Sequence, residues 1–525
     1  RSAIPVARRA LATRVPGPGR IEQDGEEILS AALATLGEVL RRGGRRSNGR
    51  LPRHRLGIAT QRSTILFWDR DTGRPLTPAY SWQDRRGAVM CDRLRHSGSA
   101  AGRTGRSERH RTIDTAALVA TRTGLRLSPH YSASKLAWAL RNVRGLRRRI
   151  ISGRALWGTL GTFILYHLSG GAYYAIDHAS AQRTSLMGID DLAWDPELFE
   201  LFGLEPLLDT PVLPAILPTM PSGQPDIVLG RNRIGIGALT GDQQAAIVGR
   251  GGLRADRILI NYGSGAFVLR PGVEGARSAS GLLRTLVASW RREERSGLYP
   301  AMATRFALEG TVNAAGIALD WVLRRCGLRI PLTRIDRFLG PAPEGVRALH
   351  FLPAVGGLGA PHWEARARPR FSGDVRSAAD RDLVRAVIES VAQRCAEIAL
   401  LMGSLTLRDA RSGAAGGTTI LASGGLTACR TLMQAQADLL QCPVIIDPVP
   451  EATALGAAAM AAGDPERLFG GECEGIHQVG AALHHRRPGA LIIPPRIGRD
   501  EAAARRRAWR RAVYGRDGAP AAFGS

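Results

Sequence analysis

The chain has 525 residues, of which 44% are hydrophobic and 22% charged, as expected for a globular protein with two or more large domains. No apolar run approaches the roughly 20 residues of a membrane-spanning helix, and the six cysteines form no C-x-x-C pair; this argues against a membrane, disulfide-rich or zinc-scaffold protein and favours the cytoplasm. The net charge of +26 comes almost wholly from arginines spread along the chain without interleaved aromatics, so specific nucleic-acid binding is disfavoured.

Hydrophobic periodicity predicts a mixture of helices and strands in both halves of the chain. Helices are predicted at 24–41, 113–122, 133–143, 154–168, 243–248, 310–326, 380–402, 426–440, 452–462 and 500–513, and strands at 56–60, 65–68, 79–82, 258–261, 266–269, 418–422 and 444–446. Residues 97–112 contain few hydrophobic residues and predict a flexible surface insertion. This pattern indicates an α/β fold, with two lobes around a cleft.

Residues 241–270 carry the clearest chemical pattern. Two apolar runs flank Gly263-Ser264-Gly265, which predicts a tight hairpin whose glycines let backbone N–H groups approach a phosphate. Asp242 precedes a helical run, which places a carboxylate at a helix N-terminus. We interpret the pair as a base and a phosphate cradle that face one gap. A capping aspartate followed by an ordinary hairpin is the alternative interpretation.

Short motifs in a fixed order extend this pattern over most of the chain. They include Gln61-Arg62-Ser63-Thr64, Trp82-Gln83-Asp84-Arg85-Arg86, Ala181-Gln182-Arg183-Thr184, Gly241-Asp242-Gln243-Gln244, Tyr262-Gly263-Ser264-Gly265, Ala360-Pro361-His362-Trp363, Ser423-Gly424-Gly425 and Glu451-Ala452-Thr453-Ala454-Leu455-Gly456. Each motif is a weak signal alone, but their order and spacing together are specific. On these residues the chain resembles the FGGY family of carbohydrate kinases, and within it the glycerol kinases.

The resemblance implies an α/β fold of two actin/hexokinase-like (ribonuclease H-like) lobes around a central cleft. Residues 1–235 would form the lobe that binds a polyol or sugar, and residues 236–515 the lobe that binds the nucleotide. The implied reaction is ATP-dependent phosphorylation of a hydroxyl on a small polyol or sugar, with Mg²⁺ as the metal. The expected location is the cytoplasm, with neither a specific nucleic acid nor a membrane as partner. Self-association into a homo-oligomer is also compatible with the resemblance.

The resemblance also assigns roles to individual residues. Asp242 matches the base that accepts the proton of the attacking hydroxyl. The substrate-binding residues implied by the match are Arg62, Ser63, Trp82, His130, Tyr131, Asp242 and Gln243, and the nucleotide-binding residues are Gly263, Ser264, Gly265, Gly316, Asp320, Gly424, Gly425 and Cys429. A structural role in a turn, an ion pair or the core is the alternative for each of them.

The sequence departs from the family pattern at residues matched to each of the two substrate sites. Ser63 stands where glycerol kinases carry a glutamate, and His130 stands where they carry a tyrosine, although Tyr131 beside it could partly compensate. These changes put glycerol itself in doubt and favour a different or bulkier polyol. On the nucleotide side, Asp320 and Cys429 replace amide side chains, which weakens the standard base and ribose contacts.

The beginning of the sequence differs most from the family. Family members open with a strand and a phosphate loop of the Asp-Gln-Gly-Thr type, and Pro5-Val6-Ala7-Arg8 aligns just after it, so we expect the sequence to lack this loop. The loss of half a phosphate cradle would slow the reaction by several orders of magnitude. The sequence therefore predicts either a carbohydrate kinase whose sequence is given without its start, or a degenerate relative that binds a ligand or a partner.

Overall fold

The fold was taken from a computed structural model. It describes residues 7–42, 54–100, 114–223, 226–230, 232–251, 253–254, 256–272, 281–292, 301–341, 349–403, 418–446, 451–463, 468 and 490–515. The chain divides into two compact units. The first unit comprises residues 1–250, 285–305 and 451–479, and the second comprises 251–284, 306–450 and 480–525. Of the predicted insertion at 97–112, residues 97–100 form the end of a helix, and residues 101–112 lie outside the described residues.

The first unit alternates strands and helices. Its strands are β1 (Arg14–Gly17), β2 (Arg20–Gln23), β3 (His54–Thr60), β4 (Ile65–Asp69), β5 (Ala79–Tyr80), β6 (Ala155–Thr159), β7 (Ala175–Asp177), β8 (Ala215–Leu217), β9 (Ile227–Leu229) and β10 (Asn232–Gly241). Its helices are α1 (Gly25–Arg42), α2 (Ala88–Ala100), α3 (Thr115–Thr123), α4 (Ser132–Asn142), α5 (Leu146–Ile151), α6 (Leu160–Leu168), α7 (His178–Gln182), α8 (Pro196–Phe202) and α9 (Asp242–Gly249), with α14 (Ala452–Ala462) from later in the chain.

Two sheets organise this unit. One is antiparallel, in the order β1-β2-β5-β4-β6, and its strands β4 and β6 bury Trp68 and Trp157 completely. The other has the order β3-β10-β9, and β3 and β10 run parallel. Because parallel strands end at the same edge of a sheet, the residues that follow β3 and β10 lie side by side.

The second unit is built on a mixed sheet. Its strands are β11 (Arg257–Tyr262), β12 (Ala266–Pro271), β15 (His350–Leu352), β16 (Arg370–Ser372), β17 (Thr419–Ser423), β18 (Val444–Ile446) and β19 (Leu491–Ile493). Strand β13 (Leu283–Arg291) leads from this unit into the first, and β14 (Met302–Val312) leads back. The helices of the second unit are α10 (Gly316–Arg325), α11 (Ile335–Leu339), α12 (Asp380–Leu401), α13 (Arg430–Leu440) and α15 (Arg499–Tyr514). Strands β14-β12-β11-β17-β18-β19 are neighbours in that order, with β11 and β17 parallel.

Helix α12 forms the centre of the second unit's core. Its long apolar face packs with α10, α13 and the sheet, and Val384, Val387 and Cys395 are completely buried. Among the described residues, no helix has both the length and the apolar character needed to cross a membrane.

The predicted elements agree with the structure in type at most places. The hairpin around Ser264 is confirmed, since β11 and β12 pair antiparallel with Tyr262 opposite Ala266. Two predictions were wrong in part. The helix predicted at 154–168 is strand β6 followed by α6, and the helix predicted at 310–326 begins only at Gly316, after the end of β14. In both places a largely buried strand is followed closely by a helix, and periodicity does not mark the change from strand to helix within such an apolar run.

Candidate active site

Asp242 stands where strand β10 passes into helix α9. Gly241, the last residue of β10, pairs with Thr60, the last residue of β3, and Asp242 is the first residue of the helix. The Asp242 side chain is 37% exposed, and its Oδ1 accepts a hydrogen bond from the backbone N–H of Gln243 at 2.8 Å. The hydroxyl of Thr453 donates to the Asp242 carbonyl at 3.3 Å. The carboxylate is therefore held at a helix N-terminus and remains accessible.

Arg62 lies beside this carboxylate. The turn after β3 places the Arg62 Nε 3.8 Å from Asp242 Oδ1, with the arginine side chain 11% exposed. A Cβ at Gly241 would lie 2.6 Å from the Arg62 Cγ, so only glycine lets the two segments approach this closely. An acceptor hydroxyl bound here would find a proton acceptor and a charged donor next to each other.

Ser63 is buried and takes a left-handed backbone conformation, with φ of 63°. Its hydroxyl donates to the Arg183 carbonyl at 3.1 Å, and its own carbonyl accepts from the Ser132 hydroxyl at 3.4 Å. A non-glycine residue in this region is strained, and such strain is frequent at binding sites. Because the Ser63 hydroxyl uses its proton for Arg183, it retains lone pairs that can accept a hydrogen bond from a ligand.

Trp82 and His130 form an exposed aromatic pair. Their ring centroids are 6.2 Å apart, and the His130 Nδ1 lies 3.1 Å from the Trp82 carbonyl oxygen. The backbone N–H of Trp82 donates to the Thr64 hydroxyl at 3.0 Å, so the aromatic pair is linked to the turn that carries Arg62 and Ser63. Desolvation by the neighbouring residues lowers the pKa of the His130 imidazole, so the ring is neutral near pH 7, and its Nδ1–H donates to the Trp82 carbonyl. Tyr131 is buried at the start of α4.

Arg183 and Thr285 were not predicted as site residues. The Arg183 guanidinium donates to the Thr285 hydroxyl at 2.6 Å, and its central carbon lies 5.9 Å from the centre of the Tyr131 ring. Nearby, the Leu286 N–H donates to the Gln182 side chain and its carbonyl accepts from Gln244. The Ala181-Gln182-Arg183-Thr184 motif was a signal for Arg183, whereas no local pattern indicated Thr285.

The first unit thus brings together all the residues predicted to bind the acceptor. Arg62 and Ser63 come from the turn after β3, and Asp242 and Gln243 come from the start of α9. Trp82 and His130 join these segments through Thr64, and Tyr131 follows His130.

The phosphate hairpin lies in the second unit, between β11 and β12. Its turn closes with the Gly263 N–H donating to the Gly265 carbonyl at 2.8 Å, and it leaves Ser264 exposed. The carbonyls of Gly263 and Ser264 accept hydrogen bonds from the N–H groups of Gly316 and Ala315 at 3.0 and 2.9 Å. The hairpin is therefore fixed directly on the N-terminus of α10.

The paired glycines after β17 meet the same hairpin. Because β11 and β17 are parallel, their ends coincide, and the Ser423 hydroxyl donates to the Asn261 side chain at 3.3 Å. Gly424 has φ of +94°, and a Cβ there would lie 2.3 Å from the Tyr262 carbonyl oxygen. Gly425 is exposed with open space where a Cβ would stand. A side chain is excluded at Gly424, and a ligand can approach the backbone closely at Gly425.

Asp320 and Cys429 differ in accessibility. Asp320 is exposed on α10, one turn after Gly316. Cys429 is buried, its thiol lies 3.7 Å from the Asp336 carboxylate, and burial raises the pKa of the thiol to about 12. The Cys429 side chain therefore does not present itself to a ligand, which leaves its backbone as the group available for the predicted contact.

Known proteins resemble the chain over almost its whole length. Residues 2–249 match the N-terminal domain of the FGGY family of carbohydrate kinases, and residues 259–463 match its C-terminal domain. A glycerol kinase of Thermus brockianus is 39% identical over 465 residues, 87% of this chain and 84% of that protein. A glycerol kinase of Halorhodospira halophila is 34% identical over 521 residues, 97% of this chain and 91% of that protein.

Solved structures show the same fold. A Plasmodium falciparum glycerol kinase with ADP aligns with a TM-score of 0.75 at 24% identity, covering 96% of this chain and 91% of that one. A gluconate kinase from Lactobacillus acidophilus aligns with a TM-score of 0.70 at 20% identity, covering 98% and 93%. The fold is therefore the two-domain, actin/hexokinase-like α/β fold that the sequence predicted. Both domain matches and the identity to glycerol kinases lead to one conclusion: the chain belongs to the FGGY family of carbohydrate kinases.

Proposed function

We propose that Asp242 is the base with which this kinase phosphorylates a hydroxyl of a small polyol or sugar, using ATP as the donor. The observation that carries the proposal is the accessible carboxylate beside Arg62, 3.8 Å away, where β3 and β10 end. A hydroxyl bound there donates to Asp242 and accepts from Arg62. An aspartate of ordinary basicity is sufficient, because the hydroxyl loses its proton late in a loose phosphoryl transfer.

The remaining acceptor contacts position the polyol in this proposal. Gln243, next to the base, offers an amide to a second hydroxyl, and the exposed Trp82 ring covers the carbon chain. Ser63 accepts a hydrogen bond as a neutral group, where a carboxylate would bind more strongly and occupy more space. We therefore favour an acceptor longer than glycerol, with four or five carbons.

The nucleotide phosphates bind the exposed hairpin around Ser264 in this proposal, and Gly316, Gly424 and Gly425 let the rest of the nucleotide approach the backbone. Bound Mg²⁺ would neutralise negative charge on these phosphates. Such an ion needs only one or two carboxylates besides phosphates and waters, which fits a structure whose described residues include no cluster of three or more His, Cys, Asp or Glu. Asp320, exposed on α10 in the same unit as the hairpin, carries a carboxylate that would hold it. A cytoplasmic location and self-association stay predictions.

The experiment is an ADP-release assay with glycerol, erythritol, D-xylulose and D-gluconate as acceptors. We expect ADP release that depends on erythritol or D-xylulose, and we expect Asp242→Asn to lower it roughly 10²–10⁴-fold. Asp71→Asn, in an exposed turn of the same unit, is the matched control and leaves the rate unchanged. Wild-type activity that survives in Asp242→Asn would contradict the role of Asp242.

A further inference from the structure

Lys135 is the only lysine of the chain, and its side chain is completely buried. Helix α4 carries it into the interior of the first unit. An ammonium group is costly to bury, because water solvates it better than a protein interior does. The contacts that it makes there indicate what the lysine does.

Both hydrogen bonds of Lys135 go to the loops that carry the aromatic pair. Its Nζ donates to the Ser81 carbonyl at 3.0 Å and to the His130 carbonyl at 2.8 Å. Ser81 immediately precedes Trp82 in the chain. His130 in turn donates from Nδ1 to the Trp82 carbonyl at 3.1 Å. The three hydrogen bonds connect the loop of Ser81 and Trp82 to the loop of His130, and Lys135 forms the buried part of this connection.

Asp84, the carboxylate that acts electrostatically on Lys135, already binds other partners. It accepts from Arg86 at 2.8 and 2.9 Å and from the Ile21 N–H at 2.7 Å. Arg86 also stacks on the Tyr80 ring, 3.6 Å from its centroid. Lys135 therefore forms none of the ion pairs found among the described residues, and backbone carbonyls are its partners. A neutral apolar side chain would fill the site at lower cost, but it would leave both loops without their common anchor.

We propose that Lys135 is a positioning residue for the acceptor, which sets the spacing of Trp82 and His130 by binding the carbonyls of Ser81 and His130. The inference rests on the proposed function of this aromatic pair as a wall of the acceptor site. Lys135 touches neither substrate, so it acts through the two loops alone. It affects acceptor binding and leaves nucleotide binding unchanged, because both loops belong to the first unit.

The test compares Lys135→Met and Lys135→Gln with the wild type, using erythritol and D-xylulose as acceptors. Methionine has a similar length but no donor, and we expect it to raise the acceptor KM about tenfold, since it removes both hydrogen bonds to the loop carbonyls. The glutamine amide has two N–H donors and restores part of the loss. The KM for ATP stays at the wild-type value in both variants.

Tyr174→Phe is the matched control for a merely structural effect. The Tyr174 hydroxyl is partly buried in the same unit and lies 2.7 Å from each of the carbonyl oxygens of Trp157 and Val212. This variant lowers the melting temperature without changing the acceptor KM. If the wild type is active and both Lys135 variants keep its acceptor KM, this inference is wrong and the proposed function stands. A wild type that is inactive with every acceptor overturns it together with the proposed function.

Discussion

Asp242 and Arg62 become neighbours because their strands run parallel and end together. The register pairs Gly241 with Thr60, so the next residues of both segments leave the sheet at one edge. The ion pair is long, at 3.8 Å, and leaves the carboxylate more than one third exposed. Asp242 can therefore still bind a substrate hydroxyl, and this accessibility separates it from a purely structural cap.

Replacement of Arg62 by lysine tests the geometry of the donor. Lysine keeps the charge but loses the planar fork that can donate to two oxygens at once. We expect kcat/KM for the acceptor to fall about 10–100-fold, with the KM for ATP unchanged. Steady-state kinetics with each substrate varied in turn measures both values. Arg93→Lys, on the exposed surface of α2, is the control, and equal kinetics in the two variants would contradict the role of Arg62.

Replacement of Ser63 by glutamate tests the acceptor size. The longer, charged side chain offers a stronger acceptor for hydroxyls and takes up more room than the serine. We expect the ratio of kcat/KM for glycerol to that for erythritol to rise about tenfold. Ser63→Ala is the matched control, because it removes the hydroxyl without filling the space. The interpretation of Ser63 is wrong if glutamate leaves the ratio at its wild-type value.

The pH dependence of stability tests the burial of Lys135. Burial lowers the pKa of this amine from 10.5 to about 7, with Asp84 acting in the opposite direction. Between these pH values the unfolded state binds more protons than the folded state, so this lysine makes stability rise with pH from about 7 to 10.5. Urea unfolding at pH 7 and 9.5 measures the change, and Lys135→Met should reduce the rise. An equal rise in both proteins would show that the amine is not buried.

At the scale of elements, helices α9 and α14 approach each other unusually closely. A Cβ at Gly456 would lie 1.7 Å from the Ala245 carbonyl oxygen, and one at Gly249 would lie 2.0 Å from the Ala452 carbonyl oxygen. Because both contacts are to backbone, no rotation of a side chain relieves them. The start of α9 is Asp242, so this contact between helices also fixes the position of the base.

Replacement of Gly456 by alanine tests this contact. The added methyl group must separate the two helices, and we expect a loss of about 1–3 kcal/mol in the free energy of unfolding, together with a lower kcat. Ala458→Val, on the exposed side of α14, is the control and should change neither value much. Urea unfolding and initial rates measure the effects. A variant as stable as the wild type would mean that the helices are not in close contact.

Sequence patterns predicted those parts of the site that are local in the chain. The glycine turn around Ser264 and the aspartate before α9 are coded within a few residues, and both elements form as predicted. The hydrogen bond between Arg183 and Thr285 joins residues 102 positions apart, and no period or motif signals such a pair. The burial of Cys429 beside Asp336 could not be predicted for the same reason, because it depends on how α11 packs on the start of α13.

At the scale of the whole molecule, each unit has its own core and its own part of the substrate chemistry. The first unit holds the residues proposed for the acceptor, and the second holds the hairpin proposed for the nucleotide phosphates. We assign the net charge of +26 to no specific site in either unit. It concerns solubility and nonspecific attraction to polyanions, which salt weakens.

The most direct test is ³¹P NMR of a reaction of the protein with ATP and an excess of erythritol or D-xylulose. The account predicts a new phosphomonoester signal that grows in step with ADP in the wild type and is absent over the same time with Asp242→Asn. ADP that accumulates with inorganic phosphate alone, or an equal phosphomonoester signal from the variant, would contradict it.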